Sequence, residues 1–382
     1  MIARSTIQSG LPKVDYYAPN YRIEIEGAEL DPSTKGDVLD LKVTMEKENL
    51  TGFSLTINNW DDRSLSFKYS DGDTFSVNQR ILIEMGYADR LVSMVQGQIT
   101  SMSPKFPQSG SPTLEVAGTD RLFSLKNSKP KDGDILSYVD KADWQIAQAV
   151  ADRNGLPIEV TKAGPVHPLV VQEKDQDDAR FLLDRARRID FDFYMQTDPK
   201  SHKDKLYFVK PRDGRDGETI RVYEFEWGKT LMSFSPKLNI SDQVSEVTVR
   251  GWNPRTKTVI VAKATAADLP RSEGRGSNGP ALAARSSTGG SGKQDFIVDA
   301  AVLNQEEAKK LAVSRLVEKA YGYVTGSGQV IGIPDLRPGD NVKLSGLGTR
   351  FSGQYYVRKV DHSLGSSGYL TQFEVSTLRD GG

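Results

Sequence analysis

Cysteine is absent from the 382 residues, which excludes disulfides and thiolate metal sites and leaves the redox compartment unreadable. Histidine is almost as scarce. His167, His202 and His362 are the only three, and none falls in H-E-x-x-H or another close ligand spacing. An excess of one charge is also missing: 50 Lys and Arg against 51 Asp and Glu leave a net charge of -1. The electrostatic footprint of a dedicated nucleic-acid or anionic-membrane binder is therefore lacking. No run of about 18 apolar residues occurs, which excludes a spanning helix. The opening MIARSTIQSGLPKVDYYAPNY has neither the apolar stretch nor the small-residue cleavage site of a secretory signal.

What the chain does have is alternation. Leu41, Val43 and Met45 share one face, and Phe53, Leu55 and Ile57 follow after KENLTG. RILIEMGY, LVSMVQGQITSM and TLEVAG continue the period of two between polar turns, as in a compact antiparallel barrel or sandwich. The middle changes period. DKADWQIAQAVADRNG sets Trp144, Ala147 and Val150 at helical steps with Gly155 as a stop. DDARFLLDRARRID repeats the pattern with Asp177 or Asp178 as cap and Phe181, Leu182, Arg185 and Ile189 on one face. FDFYMQ and DKLYFVKP then form a hairpin, and VSEVTVRGWNP with KTVIVAKAT a second, turning near Asn253 and Pro254. A third helix, NQEEAKKLAVSRLVEKAYG, carries Asn304 and Glu307 in capping-box spacing and an apolar line of Ala308, Leu311, Ala312, Leu316 and Ala320.

The fold class expected is α+β and mostly β, with two similar antiparallel β-barrel modules flanking a small α/β domain. The division is an N-terminal arm (1–19), a first β module (20–129), a middle α/β domain (130–235) and a second β module (236–382) that includes the third helix. Residues 268–294, rich in Gly, Ser and Arg, read as a mobile loop that cannot bury enough apolar surface to offset the entropy of ordering.

The two modules are called similar because the chain repeats itself. Setting Phe75 against Leu336 aligns TFSVNQRILIEMG with DLRPGDNVKLSGLG, so that Asn78 meets Gly339, Ile81 meets Val342 and Ile83 meets Leu344. Gly97 and Gln98 then match Gly353 and Gln354, and Glu115 and Val116 match Glu374 and Val375. Each match alone is ordinary β punctuation; their preserved order points to a duplicated module. A closed trimer of such a chain presents six similar units in a ring.

The run LRPGDNVKLSGLGTRFSGQYYVRKVDHSLGSSGYLTQFEVS, with DQDDARFLLDRARRIDFDFYMQ and DKLYFVKP before it, resembles the late control protein D family of baseplate hub proteins from contractile phage tails and related injection systems. The resemblance covers most of the chain and is most specific over residues 336–375. It implies tail-tube-like modules and a homotrimeric, pseudo-hexameric hub joining a hexameric tail tube, or its initiator protein, to a trimeric central spike among other baseplate components. It also implies a place in the virion tail baseplate or an extracellular injection particle assembled in the bacterial cytoplasm. Related spike proteins continue into an OB-like domain and a β-helix, whereas this sequence stops at STLRDGG, so the spike is expected on another polypeptide. The alternatives are the head module of a secretion-system spike and a tail-associated cell-wall hydrolase.

The hydrolase needs a site, and the sequence offers none: no catalytic, cofactor-binding or metal-binding residue is assigned. His362 in KVDHSLG reads as a polar residue at a strand end, and His167 as loop. STGGSGKQ lacks the first Gly and the final Ser or Thr of a phosphate loop, and TGSGQVIG runs into strand instead of helix, against a dinucleotide site. Asp61 with Asp62 and Asp177 with Asp178 read as capping and solvated groups. The DGD turns at 71–73 and 132–134 lack the other ligands of a calcium loop. Trp60, Trp144, Trp227 and Trp252 read as core or interface anchors, and Arg185, Arg187 and Arg188 as intersubunit or solvated groups. No sequence-specific nucleic acid, stable membrane insertion or cofactor is expected.

Overall fold

The computed structural model describes residues 7–9, 16–88, 90–130, 136–198, 203–213, 220–253, 256–270, 278–285, 293–300, 302 and 304–380. The first module contains β1 (Pro19–Ile25), β2 (Val38–Glu46), β3 (Gly52–Asn58), β4 (Arg80–Tyr87), β5 (Arg90–Lys105) and β6 (Thr113–Asp120). Their pairing order is β1-β4-β5-β6-β3-β2, antiparallel throughout. Period-two side chains decide the faces: Leu41, Val43, Phe53, Leu55, Ile57, Leu114 and Val116 all point into one core.

The middle contains β7 (Leu136–Ala142), α1 (Asp143–Arg153), β8 (Ile158–Val160), β9 (Val166–Gln172), α2 (Asp178–Arg188), β10 (Asp192–Thr197) and β11 (Asp204–Val209). Ile146, Val150, Phe181, Leu182, Phe193 and Phe208 form its core. Asp177 caps α2 by accepting from the Arg180 amide at 2.8 Å. Gly155 ends α1 with φ +63°, a left-handed conformation that glycine adopts without a Cβ penalty.

The second module opens with β12 (Ile220–Glu226) and β13 (Leu231–Leu238), which lie largely inside the stretch 130–235 expected to form the middle domain but pair with β strands of the second module. An insert follows, made of β14 (Glu246–Asn253), β15 (Thr258–Thr265), α3 (Gly279–Arg285), β16 (Gln294–Ala300) and α4 (Gln305–Tyr321); its strands and α4 surround a core of their own, while Leu282 of α3 packs against the core of the second module. The module then resumes with β17 (Val324–Ile331), β18 (Asn341–Ser345), β19 (Gly353–Gly365) and β20 (Gly368–Thr377). Helix α3 falls inside the stretch expected to be without order; its Ala283 is buried. Residues 271–277 and 286–292 of that stretch lie outside the described residues.

Pairing order in the second module is β12-β18-β19-β20-β17-β13, position for position the order of the first. Only the outermost pairing differs: β12 runs parallel to β18, while β1 runs antiparallel to β4. Neither module closes into a barrel among the described pairings. Instead β2 pairs with β19, Thr44 facing Asp361 and Leu41 facing Leu364, and this ladder joins both modules into one 14-stranded sheet. The closed barrels expected from alternation are therefore open in their hydrogen bonding, because period two sets the face of a strand and not its last neighbour.

Two glycines show how tightly the second core is filled. A Cβ on Gly328 would lie 2.5 Å from Phe373 Cζ, and one on Gly326 would lie 2.5 Å from Phe234 Cζ. Gly328→Ala should cost about 1 to 3 kcal/mol through overpacking, read as a lower urea midpoint at unchanged slope. An unchanged midpoint would contradict this packing.

Candidate assembly surface

The repeated stretches build the same turn twice. In Ser76–Gln79 and in Arg337–Asp340 the fourth residue's amide donates to the first residue's carbonyl, at 3.3 and 3.2 Å. The third residue has positive φ, 74° at Asn78 and 93° at Gly339, as a type II turn requires. The fourth side chain accepts from the first amide, Gln79 Oε1 from Ser76 at 2.7 Å and Asp340 Oδ2 from Arg337 at 2.9 Å. Asn78 and Gly339 then donate to Ile99 and Val357, each at 2.9 Å, which makes Ile99 and Val357 counterparts. A bulge follows at Thr100 in β5 and at Arg358 in β19.

This register corrects two of the sequence matches. Gly97 faces Ile81 as Tyr355 faces Val342, so Tyr355, not Gly353, is its counterpart. Beyond the bulges Glu115 corresponds to Gln372 and Val116 to Phe373, not to Glu374 and Val375. Both slips are by two residues. An even slip leaves every side chain on its own face, so the pattern alone does not detect it.

The second copy of the turn also clamps the modules together. Arg90 forms a bidentate pair with Asp335, both contacts at 2.7 Å, and Tyr87 donates to the Gly332 carbonyl at 2.8 Å. The half-buried Arg337 donates through its guanidinium to Pro334 O at 2.6 Å and to Ser93 O of the first module at 3.0 Å. Sequence reasoning missed this clamp, and its one sequence signal was the Arg of LRPG.

His362 lies beneath the turn. It is not at a strand end: it sits within β19, fully buried. Nε2 is 3.1 Å from Leu336 O, which can only accept, so Nε2 carries the proton and Nδ1 accepts from Tyr369 or Thr371, at 3.0 and 3.2 Å. Burial, with the Arg337 guanidinium nearby, pushes its pKa down to about 3.

His167 is not loop either. It lies in β9, buried, with Nε2 2.9 Å from Asp143 and Nδ1 3.2 Å from Glu307. Burial opposes its protonation, but these two carboxylates hold its pKa above the ordinary value. Arg185 pairs with Asp143 at 2.5 Å and Arg188 with Glu307 at 3.3 Å. Arg187, on the opposite side of α2, pairs with Glu48 of the first module at 3.0 Å. Arg185 and Arg188 thus serve contacts within the chain, while Arg187 is solvated as expected, its side chain 53% exposed beside Glu48. Both imidazole nitrogens are engaged, so the cluster ties α4 to α1, β9 and α2 and presents no free base.

Asp178, expected to be solvated, is fully buried and accepts from Arg153, Gln172 and Asn154 at 2.6 to 2.8 Å. Asp61 behaves as expected of a turn carboxylate, accepting from the Arg63 amide and Ser64. None of the four tryptophans is core: Trp227 and Trp252 are 58% and 53% exposed, and Trp60 and Trp144 are half-buried. Lys293 leads into β16, where its ammonium donates to Ser241 O. His202, the DGD turn at 132–134 and residues 287–292 of STGGSGKQ lie outside the described residues.

One face of the joined sheet remains polar across both modules. Lys42, Thr44 and Glu46 on β2 adjoin Lys359 and Asp361 on β19, then Gln372 and Glu374 on β20, Ser327 on β17 and Ser235 on β13. Its charges balance locally, with Lys359 3.3 Å from Glu374 and Lys42 3.7 Å from Asp361.

Residues 17–366 match the family model described as the Alg8 N-terminal domain. The chain belongs to the Alg8 N-terminal domain family. No curated protein matches it. Among solved structures, the 43 kDa tail protein of prophage MuSo2 from Shewanella oneidensis is 14% identical with a TM-score of 0.67, covering 94% of this chain and 98% of its own. The tail protein of Neisseria meningitidis MC58 is 13% identical with a TM-score of 0.66, covering 94% and 97%. The Escherichia coli c3393 protein, a component of the type VI secretion system, is 13% identical with a TM-score of 0.55, covering 92% and 76%. This member of the family therefore has the mostly β fold of phage tail proteins, and no helix among its described residues is long and apolar enough to cross a membrane.

Proposed function

We propose that the chain is the structural hub of a contractile tail or injection-system baseplate, as the late control protein D resemblance implies. Three copies form a ring of six similar modules, one face meeting the sixfold tail tube or its initiator and the other holding a threefold central spike. The observation that carries this reading is the repeated strand order in one chain, tied by the β2–β19 ladder into a rigid pair. Two like modules per chain let threefold association match a sixfold partner. The sheet face, polar apart from Ile331 and Leu370 toward one end, suits the wall of a water-filled lumen. The role proposed is mechanical: the buried ion cluster locks elements together and performs no chemistry.

The fold shared with the E. coli secretion-system component keeps a second reading in view, the head of a spike protein. Solution mass, alone and with the spike from the same particle, tests the hub. Three chains per particle is the expected result, and a monomer under both conditions would overturn it.

A further inference from the structure

The junction inside the chain specifies the junction between chains. Within one chain β2 of the first module pairs with β19 of the second. By the matched strand order, β13 is the counterpart of β2 and β5 the counterpart of β19. Among the described residues both counterparts have an open edge: apart from a single bridge from Leu231 to Trp227, β13 pairs only with β17, and β5 beyond Ser101 pairs only with β6. We propose that β13 of one copy pairs antiparallel with residues 101–106 of the next copy, a β5 edge repeating the β2–β19 ladder between chains. This rests on the ring reading above and names its interface.

The register follows from the counterparts. Leu41 corresponds to Phe234 through the β3 and β17 ladders, and Leu364 to Phe106 through the bulges. Transferring the pairs Met45–Val360, Val43–His362 and Leu41–Leu364 then sets Leu238 opposite Met102, Pro236 opposite Pro104 and Phe234 opposite Phe106. In the chain's own junction all three pairs face inward, and apolar side chains again face inward here. Phe106 and Leu238 are 60% and 39% exposed in the single chain, and the pairing covers both.

On the other face Thr44–Asp361 becomes Lys237 opposite Ser103, and Lys42–Ser363 becomes Ser235 opposite Lys105, which extends the polar surface. A slip of one residue would set serine and lysine against the apolar row. The register also brings the two prolines together, so the missing N–H donors fall in one cross-strand pair instead of two. A head-to-tail contact of this kind closes into a ring or runs on as a filament.

The absence of cysteine gives a clean test. Full-length protein carrying both Ser103→Cys and Lys237→Cys, oxidised under mild conditions, should form interchain disulfides ending at a three-chain species. Opposite residues of an antiparallel pair have the Cα spacing a disulfide needs. Yield should exceed that of the register-shifted double variant Ser101→Cys with Lys237→Cys by about tenfold, since shifted positions lie outside disulfide range. Lys105→Cys with Ser235→Cys provides an independent pair should the first fold poorly. A trimer by mass in which neither pair crosslinks would overturn the interface and leave the ring standing. Crosslinked ladders running past three chains would support the strand pairing and overturn the ring of three, whereas a monomer that never crosslinks would overturn both.

Discussion

Acid is expected to open the seam between the two modules, and His362→Gln should abolish the part of that response between about pH 6.5 and 3. The buried imidazole is neutral, with its pKa depressed to about 3, while in the unfolded chain it titrates near 6.5. Between those values the unfolded chain binds a proton that the folded chain refuses. Stability from this group is complete above about pH 6.5 and is lost progressively as pH falls toward 3. The span corresponds to on the order of 5 kcal/mol at about 1.4 kcal/mol per pKa unit. A glutamine amide can still donate to Leu336 O but does not titrate, so the variant should lose about 1 to 2 kcal/mol at neutral pH through poorer geometry. Its urea midpoint should then fall less steeply on acidification. Asp340, which burial raises to about 6, remains in both proteins, so the difference between their pH profiles isolates the imidazole. Parallel profiles from pH 7 to 4 would show that His362 is not the acid-sensitive element.

Glu307→Gln should destabilise the protein by about 3 to 5 kcal/mol, because it removes a buried carboxylate that His167 and Arg188 both contact. The side chain belongs to α4, and the loss should undock that helix from the middle domain. In the intact protein His167 has a raised pKa. Its contribution is therefore fully present below about pH 6.5 and is lost as pH rises through the folded value, the opposite sense to His362. Removing Glu307's charge should lower the His167 pKa, visible in the proton resonances of its ring during titration. An unmoved titration together with an unchanged urea midpoint would show that the ion cluster is not what holds α4.

The histidines show where sequence reading stops. KVDHSLG and VHPL look like polar punctuation because each contains a charged or turn-forming neighbour. What makes His362 a buried hydrogen-bond node is the arrival of Leu336 O from a different strand connection. His167 acquires its carboxylate partners from Asp143 and Glu307, the latter 140 positions away. Glu307 itself fits the capping box by spacing, and Asn304 does accept its amide at 2.8 Å. The carboxylate nonetheless reaches the middle domain, where the His167 imidazole and the Arg188 guanidinium both meet it.

Alternation and turn chemistry, which are local, were sufficient to place β2 to β6, the helix α1 with its Gly155 stop, and a helix cap at Asp177 or Asp178. They act through hydrogen bonds and side-chain directions within a few residues, so a single chain segment contains the whole cause. Which edge meets which, whether a sheet closes, and the two-residue register of the later matches were decided only in three dimensions. Strand pairing is a contact between distant segments, and a period of two is indifferent to every even slip until bulges, prolines and facing side chains select one.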